Sequence, residues 1–307
     1  MEHKSYVLIT PARNEEAFIE KTIQSVISQT VLPKKWVIVS DGSTDRTDEI
    51  VKKYLPDHPW IELIRMPEHR DRSFAAKANC FNVGYQKLDS IQYDIIGNLD
   101  ADVSFEKDYF EYLLDKFSQY PDLGVAGTPM IEATHDPVKD GIFNETDVFG
   151  ACQLFRRECF EKIGGYTPIR WGGIDWIALR TARMNGWKTQ SFFDKRFFHH
   201  RRMGATDSNF WAARFNYGRK DYFLGNHPIW ELFRIFYQMT RKPYIIGGMF
   251  LFFGYFFAFL TRIERPISKK LMAFHRKEQM KRLKSVFKNM LKNRNLKEND
   301  TKNECRN

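Results

Sequence analysis

At 307 residues with 43% hydrophobic content, the chain exceeds one typical domain and can bury a sizeable core. Its net charge of +10 is not spread evenly: from Arg262 onward there are fifteen Lys/Arg against five Asp/Glu, so the preceding residues are balanced, which excludes a uniformly basic protein. Four cysteines (Cys80, Cys152, Cys159, Cys305) form no C-x-x-C pair and no zinc-like spacing with histidine, and are read as reduced thiols in a cytosolic setting.

The N-terminus runs directly into a short strand at Tyr6–Thr10 and carries no cleavable apolar signal, so the body is expected on the cytosolic side. Asn14, Glu15 and Glu16 then make a helix start, and Ile19, Ile23, Val26 and Ile27 keep helical spacing behind it. Trp36–Ser40 reads as a second strand ending in the turn Asp41-Gly42, followed by a helix over Thr44–Lys53. Ile61–Arg65 is a third strand and Phe74–Gln86 a third helix; Asp94–Leu99, a helix near Glu106–Tyr120, and Leu123–Thr128 follow. Strands alternating with helices in this way predict an α/β fold with a mostly parallel, doubly wound sheet. Met130–Asn144 is polar, contains proline and reads as a loop.

From Pro228 the character changes. Ile229, Trp230, Leu232, Phe233, Ile235, Phe236 and Tyr237 crowd one segment, and Tyr244–Leu260 contains no charge. Beyond Arg262 the pattern is helical, with Leu271, Phe274, Met280, Leu283, Phe287, Met290 and Leu291 on one stripe and Lys/Arg on the other face. The expected organisation is a body over 1–227, hydrophobic helices over 228–261 and a basic amphipathic tail over 262–307.

Chemistry concentrates where predicted strands end. The run Asp94-Ile-Ile-Gly-Asn-Leu99 closes on Asp100-Ala-Asp102, two carboxylates one residue apart. In open α/β sheets ligands bind outside the carboxyl ends of strands. Hard cations such as Mg²⁺ and Mn²⁺ take oxygen ligands, usually one or two carboxylates combined with phosphate oxygens. The first strand ends in Pro11-Ala-Arg-Asn-Glu15 and the second in Asp41-Gly-Ser-Thr-Asp45, so three strand ends face one crevice. Carboxylates there suit an imide edge and ribose hydroxyls, while the cation neutralises a diphosphate.

Farther on lie Phe149-Gly-Ala-Cys-Gln-Leu-Phe-Arg-Arg-Glu-Cys-Phe-Glu-Lys-Ile-Gly-Gly-Tyr166, Gly172-Gly-Ile-Asp-Trp-Ile-Ala-Leu-Arg180 and Phe197-Phe-His-His-Arg-Arg-Met-Gly204. In their order these motifs resemble family 2 of the inverting glycosyltransferases with the GT-A fold, from about Tyr6 to Met203. The resemblance implies a donor-nucleotide site at Pro11, Ala12, Glu15 and Asp41, with Lys77 and Asp100 toward the diphosphate. It implies Mn²⁺ or Mg²⁺ on Asp100 and Asp102, and Asp175 as the base that activates an acceptor hydroxyl. Ile174 stands where many members carry Glu, leaving Asp175 the single local carboxylate. Many members also place a metal-binding His in an H-x-R setting. Both His199-His200-Arg201 and His200-Arg201-Arg202 fit that form; His200 is preferred and His199 is the alternate, and because alternate strand residues face opposite sides only one can face the metal unless the backbone turns.

The activity implied is metal-dependent, inverting transfer of a sugar from a nucleotide-diphosphate donor, UDP by preference, to a hydroxyl of a lipid-linked or surface glycan. Q-x-x-R-W, usual in processive members, is absent, so one sugar per encounter is expected. Seventeen residues over Tyr244–Leu260 have the length of a minimal membrane span. A single crossing would place the basic tail against the positive-inside rule, so an in-plane or re-entrant element on the cytoplasmic face of an anionic membrane is expected. The alternatives are a sugar-nucleotide-forming nucleotidyltransferase, a nucleic-acid-binding protein or a non-catalytic sugar-binding module. Pro11-Ala-Arg-Asn-Glu15 is not a Gly-rich triphosphate loop, and the acidic crevice together with a tail free of aromatics after Phe287 speaks against nucleic acid.

Overall fold

A computed structural model describes residues 4–68, 74–132, 136, 144–201 and 210–304, without the side chains of Phe74 and 289–304. The chain divides into two compact units, Met1–Ala205 and Thr206–Asn307. In the first unit the elements run β1 (Tyr6–Ala12), α1 (Ile19–Ile27), β2 (Lys35–Ser40), α2 (Thr47–Lys52), β3 (Ile61–Arg65), α3 (Phe74–Gln86), β4 (Ile95–Leu99) and β5 (Val103–Ser104). They continue with α4 (Tyr109–Gln119), β6 (Leu123–Gly127), β7 (Met130–Ile131), β8 (Cys152–Arg156), α5 (Arg157–Ile163), α6 (Ile174–Met184), β9 (Lys188–Ser191) and β10 (Phe197–His199).

Seven strands form one sheet in the order β3-β2-β1-β4-β8-β6-β9. β8 is antiparallel to both β4 and β6, and the other pairings are parallel. The doubly wound, mixed and mostly parallel sheet matches the sequence expectation, with β8 as a strand that the sequence reading did not separate. β1, β4 and β6 are buried along nearly their whole length, as strands covered on both faces must be. α1 lays Ile19, Thr22, Ile23 and Val26 against the core, where Trp36, Phe110 and Phe117 are fully buried. Each such large apolar side chain stabilises the fold by about 1.5–3 kcal/mol. Asp94 ties the entry of β4 to that of β1 by accepting 2.8 Å hydrogen bonds from the Ser5 amide and hydroxyl.

Two boundaries shift for local reasons. The helix expected from Thr44 begins at Thr47, because Asp45 accepts from the Thr47 amide at 3.0 Å and holds the preceding residues in a turn. Of the expected loop Met130–Asn144, Met130 and Ile131 form β7, and most of the remainder lies outside the described residues. β7 joins β5 and β10 in a second sheet, order β5-β10-β7.

The second unit holds α7 (Phe210–Phe223), α8 (Pro228–Met239), α9 (Ile246–Leu260) and α10 (Lys269–Glu304). Pro228 occupies the first turn of α8, and His227 Nδ1 accepts from the Ile229 amide at 3.2 Å, a start that both residue types favour. α7, assigned to the body from sequence, groups instead with the C-terminal helices because it packs on α9. Among the described residues no helix is long and apolar enough to cross a membrane.

Candidate active site

The carboxyl ends of β1, β2 and β4 lie side by side, and β1 and β4 are neighbours whose connections leave in opposite directions across the sheet. That is the crevice where open α/β sheets bind ligands. Pro11 and Ala12 close β1 in register with Val39 and Ser40. The Asp41 amide donates to the Ala12 carbonyl at 2.8 Å, and Arg13 holds the Asp41 carboxylate at 3.3 Å. Asn14 turns the chain with φ 54° and accepts from the Thr44 amide at 2.8 Å, while the Glu15 amide donates to Thr47 Oγ1 at 2.7 Å. Pro11, Ala12, Glu15 and Asp41 are thereby brought to one rim.

Past β4, the Asp100 amide donates to the Ala151 carbonyl at 2.8 Å and its carboxylate meets Lys77 Nζ at 2.5 Å. Asp102 precedes β5, which pairs antiparallel with β10 so that His199 lies opposite Val103. This register sets His199 Nε2 3.5 Å from Asp102 Oδ1. One ligand atom from each of Asp100, Asp102 and His199 falls within 4.8 Å of the others. Of the two histidines, the alternate His199 stands beside Asp100 and Asp102, and the preferred His200 does not. His200 follows β10; its Nε2 meets Ser104 Oγ at 3.0 Å and its ring stacks on Phe18. Arg202, the last residue of the second register, lies outside the described residues.

The donor set fits a divalent cation. Two carboxylates and an imidazole converge, and buried His199 Nδ1 has no hydrogen-bond partner, with Glu132 Oε1 3.9 Å away. The charges also point to missing positive charge. Burial, and then the neighbouring Asp100, push the Asp102 carboxyl up against the opposing pull of His199, Arg201 and Lys77. Glu15 is pushed up to about 7 by burial and by Asp102, against the pull of Arg201.

Asp175 is the second residue of α6, whose start at Gly173 has φ 88°. Its side chain packs directly on Gly150: a Cβ there would lie 2.7 Å from Asp175 Oδ2. The Gly150 carbonyl accepts from Asn98 Nδ2 at 2.6 Å, and the next residue, Ala151, receives the Asp100 amide. Asp175 and Asp100 therefore sit against adjacent residues of one short segment. Lys77 lies among them. Burial alone would lower its pKa, but Asp100, Asp175 and Asp102 together hold it above the ordinary lysine value. The buried Tyr166, which donates to Gln153 Oε1 at 2.7 Å, has its phenol raised by burial and then by Asp175 and Asp100. Asp100, Asp102 and Asp175 thus all act on the Lys77 ammonium.

The sequence reading passed over four residues. Arg201, inside the quoted His-His-Arg-Arg run, bonds Glu15 Oε2 at 2.5 Å and approaches Asp102 Oδ2 at 3.5 Å. Asn98 and Gly150, inside quoted runs, and Glu132 were given no role there and enter through tertiary contact.

Comparison with known proteins bears on the family and the fold. The family model "Glycosyl transferase family 2" matches residues 7–139. Poly-β-1,6-N-acetyl-D-glucosamine synthase of Staphylococcus aureus strain COL is 33% identical over 119 residues, 38% of this chain and 27% of that protein. The Staphylococcus epidermidis synthase is 31% identical over a stretch of the same length. The chain thus matches little more than a quarter of the length of these curated relatives. Among solved structures, the mannosyltransferase PcManGT of Pyrobaculum calidifontis, in complex with GDP-Man and Mn²⁺, superimposes with TM-score 0.55 and 19% identity, covering 71% of this chain and 62% of that one. Residues 1–349 of Staphylococcus aureus TarS, in complex with UDP-GlcNAc, give TM-score 0.55 and 14% identity, covering 88% and 78%. At these identities the structural likeness establishes the fold.

Proposed function

We propose that this chain, whose residues 7–139 match the glycosyltransferase family 2 model and whose fold is GT-A, is a metal-dependent, inverting glycosyltransferase. It would move one sugar from a UDP-sugar to a hydroxyl of a lipid-linked or surface glycan. The observation that carries this reading is the Asp100–Asp102–His199 cluster, with Lys77 bonded to Asp100 and held by the charges of Asp175 and Asp102 as well.

Pro11, Ala12 and Asp41 hold the nucleoside, with the Asp41 carboxylate accepting from base or ribose donors, and Glu15 lines the same rim. Lys77 supplies positive charge to the diphosphate, where negative charge grows as the glycosidic bond breaks. When bound at Asp100, Asp102 and His199, Mn²⁺ or Mg²⁺ supplies Lewis-acid neutralisation of that leaving group. Asp175 takes the acceptor hydroxyl proton as the oxygen attacks the anomeric carbon from the opposite face. The neighbours in complex with a UDP-sugar and with GDP-Man and Mn²⁺ support a nucleotide-sugar donor. We place the chemistry on the cytosolic side, where the thiols of the unbridged Cys80, Cys152 and Cys159 stay reduced.

Calorimetric titration with UDP and with GDP, each with and without Mn²⁺, tests the donor site, and a sugar-nucleotide hydrolysis panel identifies the sugar. Metal-dependent UDP binding is expected. Asp175→Asn should keep UDP affinity while transfer falls about 10²–10⁴-fold. Transfer surviving in that variant would remove Asp175 as the base.

A further inference from the structure

Helix α9 is built inside out for a protein in water. Its buried residues are Gly247, Gly248, Leu251, Gly254 and Ala258, almost all small, whereas its large side chains point outward. Phe252, Phe253, Phe256, Phe257, Phe259 and Leu260 are all exposed, Phe259 by 55% and Leu260 by 62%. An amphipathic helix in a water-soluble fold does the reverse, turning its bulky apolar stripe to the core. Small residues inward and large apolar residues outward is the packing used where the surroundings are themselves apolar.

The inward face needs those small residues. A Cβ on Gly254 would collide with the Phe215 carbonyl oxygen of α7, one on Gly218 with the Leu251 carbonyl oxygen, and one on Gly248 with Met239 of α8. The backbones of α7 and α8 therefore approach α9 closely, and the phenylalanines have nowhere to go but out. α8 adds to the same kind of surface with exposed Ile229, Leu232 and Phe236, the last 64% exposed. Contiguous apolar surface of this extent is rare on a monomeric protein in solution.

The charges select the occupant. Pro243–Thr261 has no charged residue, and it is bracketed by exposed Arg241 and Lys242 on one side and exposed Arg262 on the other. α10 adds exposed Lys269, Lys270, Lys277, Lys281, Arg282 and Lys284. Among residues of this unit whose side chains are described, Glu264 is the one exposed acidic residue. At 15 residues α9 is roughly 22 Å long, short of the ~30 Å hydrocarbon core, so it cannot cross a bilayer.

We propose that the outward faces of α8 and α9 insert into one leaflet of an anionic lipid membrane, with the cations of the α8–α9 connection, Arg262 and α10 resting on its headgroups. The proposal stands independently of the sugar chemistry. An apolar wedge ringed by cations gains from hydrocarbon burial and from headgroup charge together.

Flotation of the full chain with phosphatidylcholine vesicles, with and without phosphatidylglycerol, tests it. Binding to the anionic vesicles is expected, weakening but not vanishing in high salt. Phe253→Asp with Phe256→Asp should lower partitioning at least tenfold with an unchanged thermal melt, since both positions are exposed. Arg241→Glu with Lys242→Glu should lower it for anionic vesicles only. On the unaltered chain, brominated acyl chains should quench tryptophan fluorescence, and Trp230→Phe on α8 should remove most of that quenching. Failure of the wild type to float with anionic vesicles overturns the proposal, as does full binding by the double aspartate variant. A stable dimer that the same substitutions split, without vesicle binding, would assign the face to a second copy and equally overturn it.

Discussion

Arg201 donates to the Glu15 carboxylate at 2.5 Å, joining residues 186 positions apart. Its Nε also lies 3.5 Å from Asp102 Oδ2, so one guanidinium serves two carboxylates that otherwise repel. Arg201→Ala should destabilise the metal-free protein by about 1–2 kcal/mol, the usual worth of a charge-assisted bond discounted because the guanidinium is partly in solvent. Arg201→Lys should not restore it, since a point charge cannot bridge both groups as the planar fork does. Mn²⁺ should stabilise Arg201→Ala more than wild type, because a cation beside Asp102 replaces the lost charge. Thermal melts in chelator and in Mn²⁺ measure both effects, and identical melts for the three proteins would contradict this account.

Gly150→Ala places a methyl against Asp175 Oδ2. The carboxylate has to move, and a displacement of about 1 Å in a reacting group costs on the order of 10²-fold in rate. The expected result is a fall in kcat of that size with UDP affinity held within about threefold. If kcat stays at the wild-type value, either the segment yields or the base is another residue.

The two histidines should separate cleanly. His199→Ala removes a side chain from the Asp100–Asp102 cluster and should weaken Mn²⁺ binding at least tenfold. His200→Ala breaks the Ser104 contact and the Phe18 stack, so it should cost about 1 kcal/mol of stability and leave Mn²⁺ affinity nearly unchanged. Paramagnetic titration of Mn²⁺ against each variant reads the difference. Equal losses in both would return the choice between the histidines to open status.

Why sequence reached some of these residues and not others follows from the range of the forces that place them. β1, β2 and β4 are short apolar runs buried on both faces, and a carboxylate pair ending such a run announces itself locally, so Asp100 and Asp102 were legible. Cys152–Arg156 mixes polar and apolar residues, and only its pairing with β4 and β6 makes it a strand. The choice between His199 and His200 depends on β10 pairing with β5, nearly a hundred residues earlier. Glu132 and Gly150 matter through what packs on them, which no local pattern encodes. α7 reads as part of the body because its own sequence has no apolar stripe. Its grouping with α9 depends on glycine-to-backbone contact between helices.

Glu231, in the second unit, offers a further pH test. It is buried on α8, accepting from Asn226 Nδ2 at 3.1 Å, with Arg234 3.7 Å away. His275 of α10 meets the other end of Asn226 at 2.9 Å. Burial, then Asp221, push the Glu231 carboxyl up to about 7, against Arg234 and the Asn226 hydrogen bond. With the folded value above the unfolded one, its stabilising contribution is complete below the unfolded value and is lost as pH rises through about 7. Glu231→Gln keeps an acceptor for Asn226 but carries no proton to lose. The stability of the variant relative to wild type should therefore grow between about pH 5 and pH 8, by up to about 3 kcal/mol at 1.4 kcal/mol per unit. Hydrogen exchange of the α8 amides, corrected for intrinsic rates, follows this locally. Parallel pH dependences for the two proteins would mean that the carboxylate is already ionised and compensated at pH 5, with Arg234 outweighing burial.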